Sequence, residues 1–535
     1  MKKIALPALV GLALVFIVSP GFAQNIIPRP DSTFNAYGKT PLDYFASFEP
    51  GDLSLQADGK ILVCGYGRST DNDDFDGYMS RLNADGTLDV NFGDNGFLVL
   101  DPDGGHDNLT SVKVLPDNKI LLLLESAFRA ILIKLLPNGN FDTTFGNEGY
   151  MFVPTAEFEY SSDMIIQPDG KIIILADKKL PSNRFIGTVR RCNPDGSLDE
   201  SYGNNGSFDL SIDPSKHFTH LTGTLQVDGK LLITGTFGTL AGSGFPVIRL
   251  NTDGSYDNSF SDDGINIRIM GNSINSATAE SIAVDPNGII YVGGAAPSIT
   301  GVDLAVLSMT STGGTNGSFG TFGISRTTVM PLYASARTII IQSDGKILAG
   351  GYTYSSPSTT RFAFVRLNAN GTPDMSFGNA NGRFVDSIDV DYDVQIIQDM
   401  ELQPDGRLLG VAWLNETINL TAPDNYATCF VLRYITDIAV KAEEPSEIFR
   451  TVSVSPNPVG EEEISLKYTL ERSGNTSIHL YNAKGLELAT LIHPIAQSSG
   501  EHTLHFVLPP KTNAGTYFLV LSTDSAQKVV KILKL

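Results

Sequence analysis

The chain has 535 residues, 38 Lys and Arg against 59 Asp and Glu, a net charge of −21, and 52 glycines. This balance argues against a nucleic-acid partner, which needs a basic footprint, and the length allows several domains or one large repeat array. Charged residues are sparse, and strand-like apolar runs recur between Gly, Asn, Asp and Pro clusters, the texture of an all-β protein.

The first residues, "MKKIALPALVGLALVFIVSPGFAQ", have the parts of a signal peptide: basic Lys2 and Lys3, an apolar stretch from Ile4 to Val18, and small residues Gly21 and Ala23 before Gln24. Cleavage between Ala23 and Gln24 is the expectation. An N-terminal anchor is the alternative, but the run is short for a spanning helix and carries Pro7 and Pro20. No other segment reads as a transmembrane helix.

From Leu55 onward one phrase recurs seven times: "LQADGKILVCGY", "VLPDNKILLLLE", "IQPDGKIIILAD", "LQVDGKLLITGT", "VDPNGIIYVGGA", "IQSDGKILAGGY" and "LQPDGRLLGVAW". Such a period calls for a repeat architecture. Within a unit, "SVKVL", "KILLLLE" and "RAILIKLL" read as strands and "NFDTTFG" as a possible fourth. Asp-Gly and Asn-Gly fit two-residue type I′ hairpins. Four antiparallel strands per unit predict propeller blades.

The second half of the unit reads "RLNADGTLDVNFGDNG" in its first copy and is worn in the fifth, "LSMTSTGGTNGSFGTFG". The seventh unit lacks this half. Residues 31–38, "DSTFNAYG", supply it, with Asp31, Phe34 and Gly38 spaced like Asp89, Phe92 and Gly96. The expectation is seven blades closed by residues 26–40 pairing with 403–434, since an open ring would expose unpaired edges; a chance match in a loose leader is the alternative. A basic residue accompanies the Asp of each D-x-x-F segment: Arg81 with Asp89, Lys134 with Asp142, Arg191 with Asp199, Arg249 with Asp257 and Arg366 with Asp374, while Leu307 and Asn316 stand in the worn unit. Arg433 and Asp31 are the predicted seventh pair. A strict two-residue hairpin would set Arg81 opposite Val90, so the contact needs a bulge or a neighbouring blade. These charges read as structural.

These paired halves resemble the delta-60 repeat, a bacterial β-propeller repeat, over most of Asp31 to Tyr434. The resemblance implies a fold and no general activity.

Cys64, Cys192 and Cys429 form no disulfide framework and read as buried thiols. His217 and His220 form an H-x-x-H that precedes a strand and lacks a third nearby ligand. Asn72, Asp74 and Asp76 before Gly77 mimic the start of a calcium loop, although Asn83 stands where that template has Glu; a solvated acidic loop is the competing reading. No cofactor is otherwise predicted, and no catalytic residue. Trp413, the single Trp, reads as packing rather than a sugar platform.

Residues 437–450 read as a linker, and residues 451–535 as a small immunoglobulin-like sandwich of about seven strands, with seven Lys and Arg against seven Asp and Glu. The stretches "VSVSPNPVG" (Pro456, Asn457, Pro458), "IHLYNAKGLEL" (Tyr481, Gly485), "AGTYFLVLS" (Gly515, Tyr517) and "KVVKILKL" resemble the C-terminal sorting domain of the type IX (Por) secretion system of Bacteroidota. The resemblance implies the Sec translocon and the type IX machinery as partners, with export across both membranes to the cell surface or medium. An adhesive terminal sandwich without a sorting role is the alternative.

The sequence therefore predicts residues 1–23 as signal peptide, 24–436 as propeller, 437–450 as linker and 451–535 as sorting domain. The expected role is a non-catalytic binding or scaffold module for a surface glycan or protein. Its rivals are a polysaccharide-active enzyme with carboxylates or histidines converging at the channel mouth, and a structural adhesin without a pocket.

Overall fold

The computed structural model describes residues 27–35, 37–42, 47–68, 75–102, 104–154, 159–210, 212–213, 215–238, 242–271, 275–356, 359–378, 381–387, 393–415, 427–436, 449–455, 464–470, 474–482, 487–509, 512, 515–522 and 527–534. The chain divides into two compact units between residues 438 and 439. Both are built of strands, with no α-helix among the described residues.

In the first unit each repeat folds as a β-propeller meander. The first sheet runs Ser47–Leu55, Ile61–Arg68, Phe75–Leu82 and Phe97–Leu100, each strand antiparallel to the next. The second strands are buried nearly end to end; Ile120–Ser126, "ILLLLES", is typical. Neighbouring sheets cover both faces, so these strands are continuously apolar rather than alternating. The cores accordingly mix successive sheets: Leu62, Cys64 and Met79 pack with Leu109, Leu122 and Ile133. All three cysteines are buried free thiols.

Three expectations about the repeat need correction. The hairpin turns are not two-residue type I′ turns. Gly86 N–H bonds to Asn83 O at 2.9 Å and Asn83 N–H to Thr87 O at 2.7 Å. Only Gly86 of the Asp85-Gly86 pair takes a positive φ, +86°. This is a type I turn followed by a left-handed residue, the G1-bulge form. In "LPDNK" Asn118, φ 62°, fills the left-handed place, consistent with the tolerance of Asn there.

The D-x-x-F segment is also a turn, not a fourth strand. Phe92 N–H bonds to Asp89 O at 3.0 Å and Gly96 N–H to Phe92 O at 2.7 Å. The fourth strand follows it, at Phe97–Leu100. The extra turn residue pairs Leu82 with Leu88 and sets Asp89 against Arg81, whose carbonyl accepts the Asp89 N–H at 2.9 Å. Arg81 Nε is 2.8 Å from Asp89 Oδ2, its guanidinium lies 4.4 Å from the Phe92 ring centroid, and Nη1 donates to Pro137 O of the next repeat. Asp and Phe thus clasp one arginine that also ties two repeats together.

Third, Lys134 is not the partner of Asp142. Lys119 Nζ holds that carboxylate at 2.8 Å, and Lys134 lies over the Phe145 ring at 5.4 Å. In the worn repeat the arginine's place belongs to Ser308, not Leu307: Asn316 N–H bonds to Ser308 O and its side-chain amide to Ser308 Oγ at 3.0 Å. The clasp has become neutral there.

The N-terminal segment lies against the last repeat. Arg29–Pro30 and Lys39–Leu42 both pair antiparallel with Ala427–Ile435, with Arg29 opposite Ile435 and Leu42 opposite Cys429. Arg433 Nε sits 2.8 Å from Asp31 Oδ2, its guanidinium 4.5 Å from the Phe34 ring, and Nη1 2.6 Å from Ala84 O of the first repeat. Gly38 takes φ +85°, and a Cβ there would stand 2.7 Å from Asp31 N, so the return into Lys39–Leu42 needs glycine. Asp31, Phe34, Gly38 and Arg433 form one cluster.

The second unit holds a three-stranded sheet, Phe449–Ser455, Ile464–Leu470 and Gly500–Phe506, and a four-stranded one, Glu487–Gln497, Gly474–Asn482, Gly515–Ser522 and Gln527–Lys534. Leu466 and Tyr468 of one sheet share a core with Leu480, Leu519 and Ile532 of the other.

Candidate functional site: a channel with two cavities

The strands Ser47–Leu55, Asp107–Val114, Glu159–Ile166, His217–Leu225, Thr278–Val284, Tyr333–Ile341 and Val394–Leu402 form an inner ring. Each packs on the next, and the last packs on the first. Every one slips register against its second strand at the same place, between Pro50 and Asp52 in the first and Thr219 and Thr222 in the fourth. A bulge re-aims side chains, and here the bulged residues line the channel. Gly51, Thr110, Ser162, Glu280, Arg337 and Gln398 border both of two cavities and mark the waist between them.

The lower cavity, about 420 Å³, is strongly polar. Asp52 Oδ2 accepts from Lys113 Nζ at 2.7 Å, Ser111 Oγ at 2.9 Å and Val112 N–H at 3.0 Å. Asp163 Oδ2 accepts from Thr222 Oγ1 and Gly223 N–H, and Ser281 Oγ from Ile339 N–H. In each case the residue after one bulge receives the backbone after the next, so these contacts latch neighbouring repeats. Burial, then the Asp52 charge, pushes the Asp399 carboxyl up to about 8. Burial also raises Asp163. Burial opposes charge on Lys113, but the Asp52 and Asp163 carboxylates outweigh it and hold its proton.

The upper cavity, about 820 Å³, mixes aromatic and polar walls. Tyr66, Glu125 and Asp177 face it from three successive second strands. Tyr160 and Phe185 lie beside them with ring centroids 5.8 Å apart. Burial, then the Asp177 charge, lifts Glu125 to about 7. Burial lifts Asp177 to about 6 against the pull of the His220 N–H, which donates to Asp177 Oδ2 at 3.0 Å. Arg337 is neutralised by Glu280, 3.1 Å away.

His217 and His220 do not precede a strand. His217 opens His217–Leu225 and His220 stands in its bulge. This bulge has one residue more than the others, and His220 takes φ +54°, a region that bulky residues seldom occupy. Both histidines border the upper cavity, and His217 Nδ1 accepts the Phe185 N–H at 3.4 Å.

Asp76 is buried, and one oxygen of each of Asp76, Asp101 and Asp107 lies within 4.8 Å of the others. Asn72 and Asp74, the other calcium-loop residues, lie outside the described residues, as do Ala23, Gln24, Pro456, Asn457, Pro458 and Gly485. Tyr481, in Gly474–Asn482, pairs with Phe518 of Gly515–Ser522. Gly515 opens its strand and Tyr517 is in the core. Trp413 lies within Leu408–Asn415, half-buried, and its Nε1 meets no acceptor.

Sequence reasoning missed Glu125 and Asp177, yet the repeats carry a signal. Aligned on their first apolar residue, the second strands place Tyr66, Glu125, Asp177, Thr236, Ala295, Tyr352 and Trp413 in one column. The five columns before it are apolar or small, with the single exception of Thr234 and apart from the Tyr291 hydroxyl, while this column and the next, which holds Ser126, Lys178 and Thr353, vary in charge, size and polarity. The column of Glu125 is only partly buried in five of the seven repeats, which marks a surface released from packing.

Three segments, residues 56–92, 226–260 and 342–377, match the family described as "Domain of unknown function (DUF5122) beta-propeller". No curated protein matches the chain. Among solved structures, the polysaccharide lyase Uly1 is similar at 12% identity and TM-score 0.43, over 77% of this chain and 98% of that one. A subtype N11 neuraminidase-like protein of A/flat-faced bat/Peru/033/2010 is similar at 10% identity and TM-score 0.37, over 76% and 96%. Drosophila Semaphorin 2a is similar at 8% identity and TM-score 0.38, over 96% and 99%. The family match accords with the β-propeller meanders of the first unit.

Proposed function

We propose that the protein is an exported seven-bladed propeller of the delta-60 type that binds a saccharide in the upper cavity of its channel. The fifth and sixth repeats share one eight-stranded sheet, from Thr278–Val284 to Arg383–Asp386, which is read as two blades joined by the single Val302–Tyr333 pair, and the N-terminal strands are read as completing the last blade. The observation that carries the binding reading is the upper cavity itself. Its volume of about 820 Å³ falls in the range of small-ligand sites. Tyr66, Tyr160 and Phe185 offer ring faces, and Thr110, Ser162, Thr219 and Gln398 offer hydroxyl and amide partners for sugar hydroxyls. Calorimetry of the full mature chain against a panel of neutral, acidic and amino oligosaccharides tests it: saturable binding by one class supports the reading, and no binding by any class removes it.

A second reading, acid–base chemistry on the bound saccharide, is favoured by one observation: two carboxyls lifted to about 7 and about 6 beside His220, within reach of working pH. Product analysis after incubation with the bound saccharide separates it from simple binding.

Export rests on the signal-like first 23 residues and on the resemblance of residues 451–535 to a type IX sorting domain, read here as an immunoglobulin-like sandwich of a Bacteroidota protein. Removal of residues 451–535 should trap the propeller in the periplasm. Surface appearance of the truncated chain would contradict this route.

A further inference from the structure

We infer that the upper cavity recognises a primary ammonium group carried on the saccharide, held between Glu125 and Asp177. This deepens the saccharide-binding reading and rests on it.

This chain neutralises several of its shielded acids with its own cations. Asp89 is held by Lys60 and Arg81, Asp52 by Lys113, Glu159 by two hydrogen bonds from Arg190, and Glu280 by Arg337. These carboxylates have a cation within ion-pair distance, which offsets the cost of burying charge, whereas Asp163 and Asp303 are met by neutral donors. Glu125 and Asp177 also have no such cation, and both face the open upper cavity. No Lys or Arg pairs with either among the described residues, and Glu125 receives no hydrogen bond. Asp177 is 7% exposed and is met by neutral donors, the His220 N–H and Ser162 Oγ at 3.4 Å. The His220 ring is the titratable group beside it.

Both acids occupy the same place on successive strands, opposite Ala130 and Gly187 respectively. The charge of Asp177 is felt at Glu125, so their ionised forms repel. A cation supplied by a ligand would relieve that repulsion and form charge-assisted hydrogen bonds to both. The Tyr160 and Phe185 rings beside them offer faces that attract an ammonium and stack on a sugar ring. The remaining cavity is too large for the ammonium alone and is lined by hydroxyls and an amide. Those features fit an amino sugar within a chain better than a free amine.

The test is calorimetry on the full mature chain with three probes: a β-1,4-linked glucosamine oligomer, its fully N-acetylated counterpart, and spermidine. The glucosamine oligomer is expected to bind at least about tenfold tighter than the acetylated one. Glu125→Gln and Asp177→Asn are each expected to weaken it by about tenfold or more. Asp209→Asn, at the exposed Lys178 pair, should leave it unchanged. Glu125→Gln removes charge without changing size, and an unaltered melting temperature shows that the variant is folded. Equal affinity for both oligomers overturns the ammonium inference and leaves saccharide binding standing. Tighter binding of spermidine than of either oligomer overturns the saccharide source. Full binding by Glu125→Gln together with lost turnover overturns the inference in favour of acid–base chemistry. Absence of binding by any saccharide overturns both readings.

Discussion

Arg433 illustrates how one side chain carries several levels of structure. It is 4% exposed, and Asp31 is fully buried. Its guanidinium bonds to Asp31, stacks on Phe34 and caps Ala84 O of the first repeat. Removing one partner of a buried pair leaves the other charge stranded, at a cost of about 3 kcal/mol or more. Asp31→Ala is therefore expected to lower unfolding free energy by about that amount in urea denaturation. Lys134→Ala should cost under about 1 kcal/mol, because Lys119, not Lys134, holds Asp142. Equal effects would show that the clasp is not the structural unit. The pairing partner was legible for the arginines from their eight-residue spacing to Asp. It was not legible for Lys134, which keeps the same spacing yet lies over the Phe145 ring and leaves the carboxylate to Lys119.

Titration gives a second residue-scale prediction. Asp399 is lifted to about 8, so the folded state keeps a proton that the unfolded chain, with a carboxyl near about 3.9, releases. Stability therefore falls as pH rises from about 4 to about 8. Glu125 and Glu401, each lifted to about 7 mainly by burial, add to that slope. The clasp aspartates act oppositely. Hydrogen bonds from Lys119 and Thr144 lower Asp142 to about 2, so its contribution is present above about 4 and is lost as pH falls through about 2. Asp399→Asn should raise the melting temperature at pH 8.5 and change it little at pH 4.5. A uniform shift at both values would contradict the assignment.

At the scale of the element, the turns decide register. Gly86 takes φ +86°, and a Cβ there would stand 2.8 Å from the Phe34 ring of the preceding clasp. Gly86→Ala must both enter the left-handed region, at about 1–2 kcal/mol, and displace a fully buried ring. A loss above about 2 kcal/mol is expected by denaturant titration; a loss below about 1 kcal/mol would show that the ring moves freely. The turn residues were legible in sequence, but their type was not. Asp-Gly serves both a two-residue hairpin and a G1-bulged one, and the two differ in register, here Leu82 opposite Leu88. The D-x-x-F segment resembled a strand because its Phe is apolar, yet that Phe packs on the next repeat rather than alternating along a sheet.

The same reasoning applies to Lys39–Leu42. Deleting residues 25–42 exposes the edge of Ala427–Ile435 and removes the Asp31 partner of Arg433. The truncated chain is expected to melt lower and to associate through the open edge. An unchanged melting temperature would contradict the role of this strand.

Across the whole molecule, repetition builds the ring and its exceptions build the site. The architecture could be read from seven similar phrases because each dictates the same meander. The upper cavity could not, because bulges in the inner strands determine which residues face the channel, and no local pattern announces a bulge. The fourth bulge is longer than the others and turns His220 toward Asp177, which converts an unremarkable H-x-x-H into part of a cavity wall. The second strands, by contrast, carried the information openly in the column of Tyr66, Glu125 and Asp177, where the apolar run of each strand breaks.

The most direct test of the channel as a ligand site is a steric one. Ser162→Trp plugs the waist and the floor of the upper cavity, and Ser162→Ala, which removes only the hydroxyl that meets Asp177, is its control. Saccharide affinity of the full mature chain, measured by calorimetry for wild type and the Ser162→Trp variant, should fall by about a hundredfold, roughly 2.7 kcal/mol, with the fold intact by circular dichroism. Undiminished binding by the plugged chain would place the saccharide elsewhere and contradict the account.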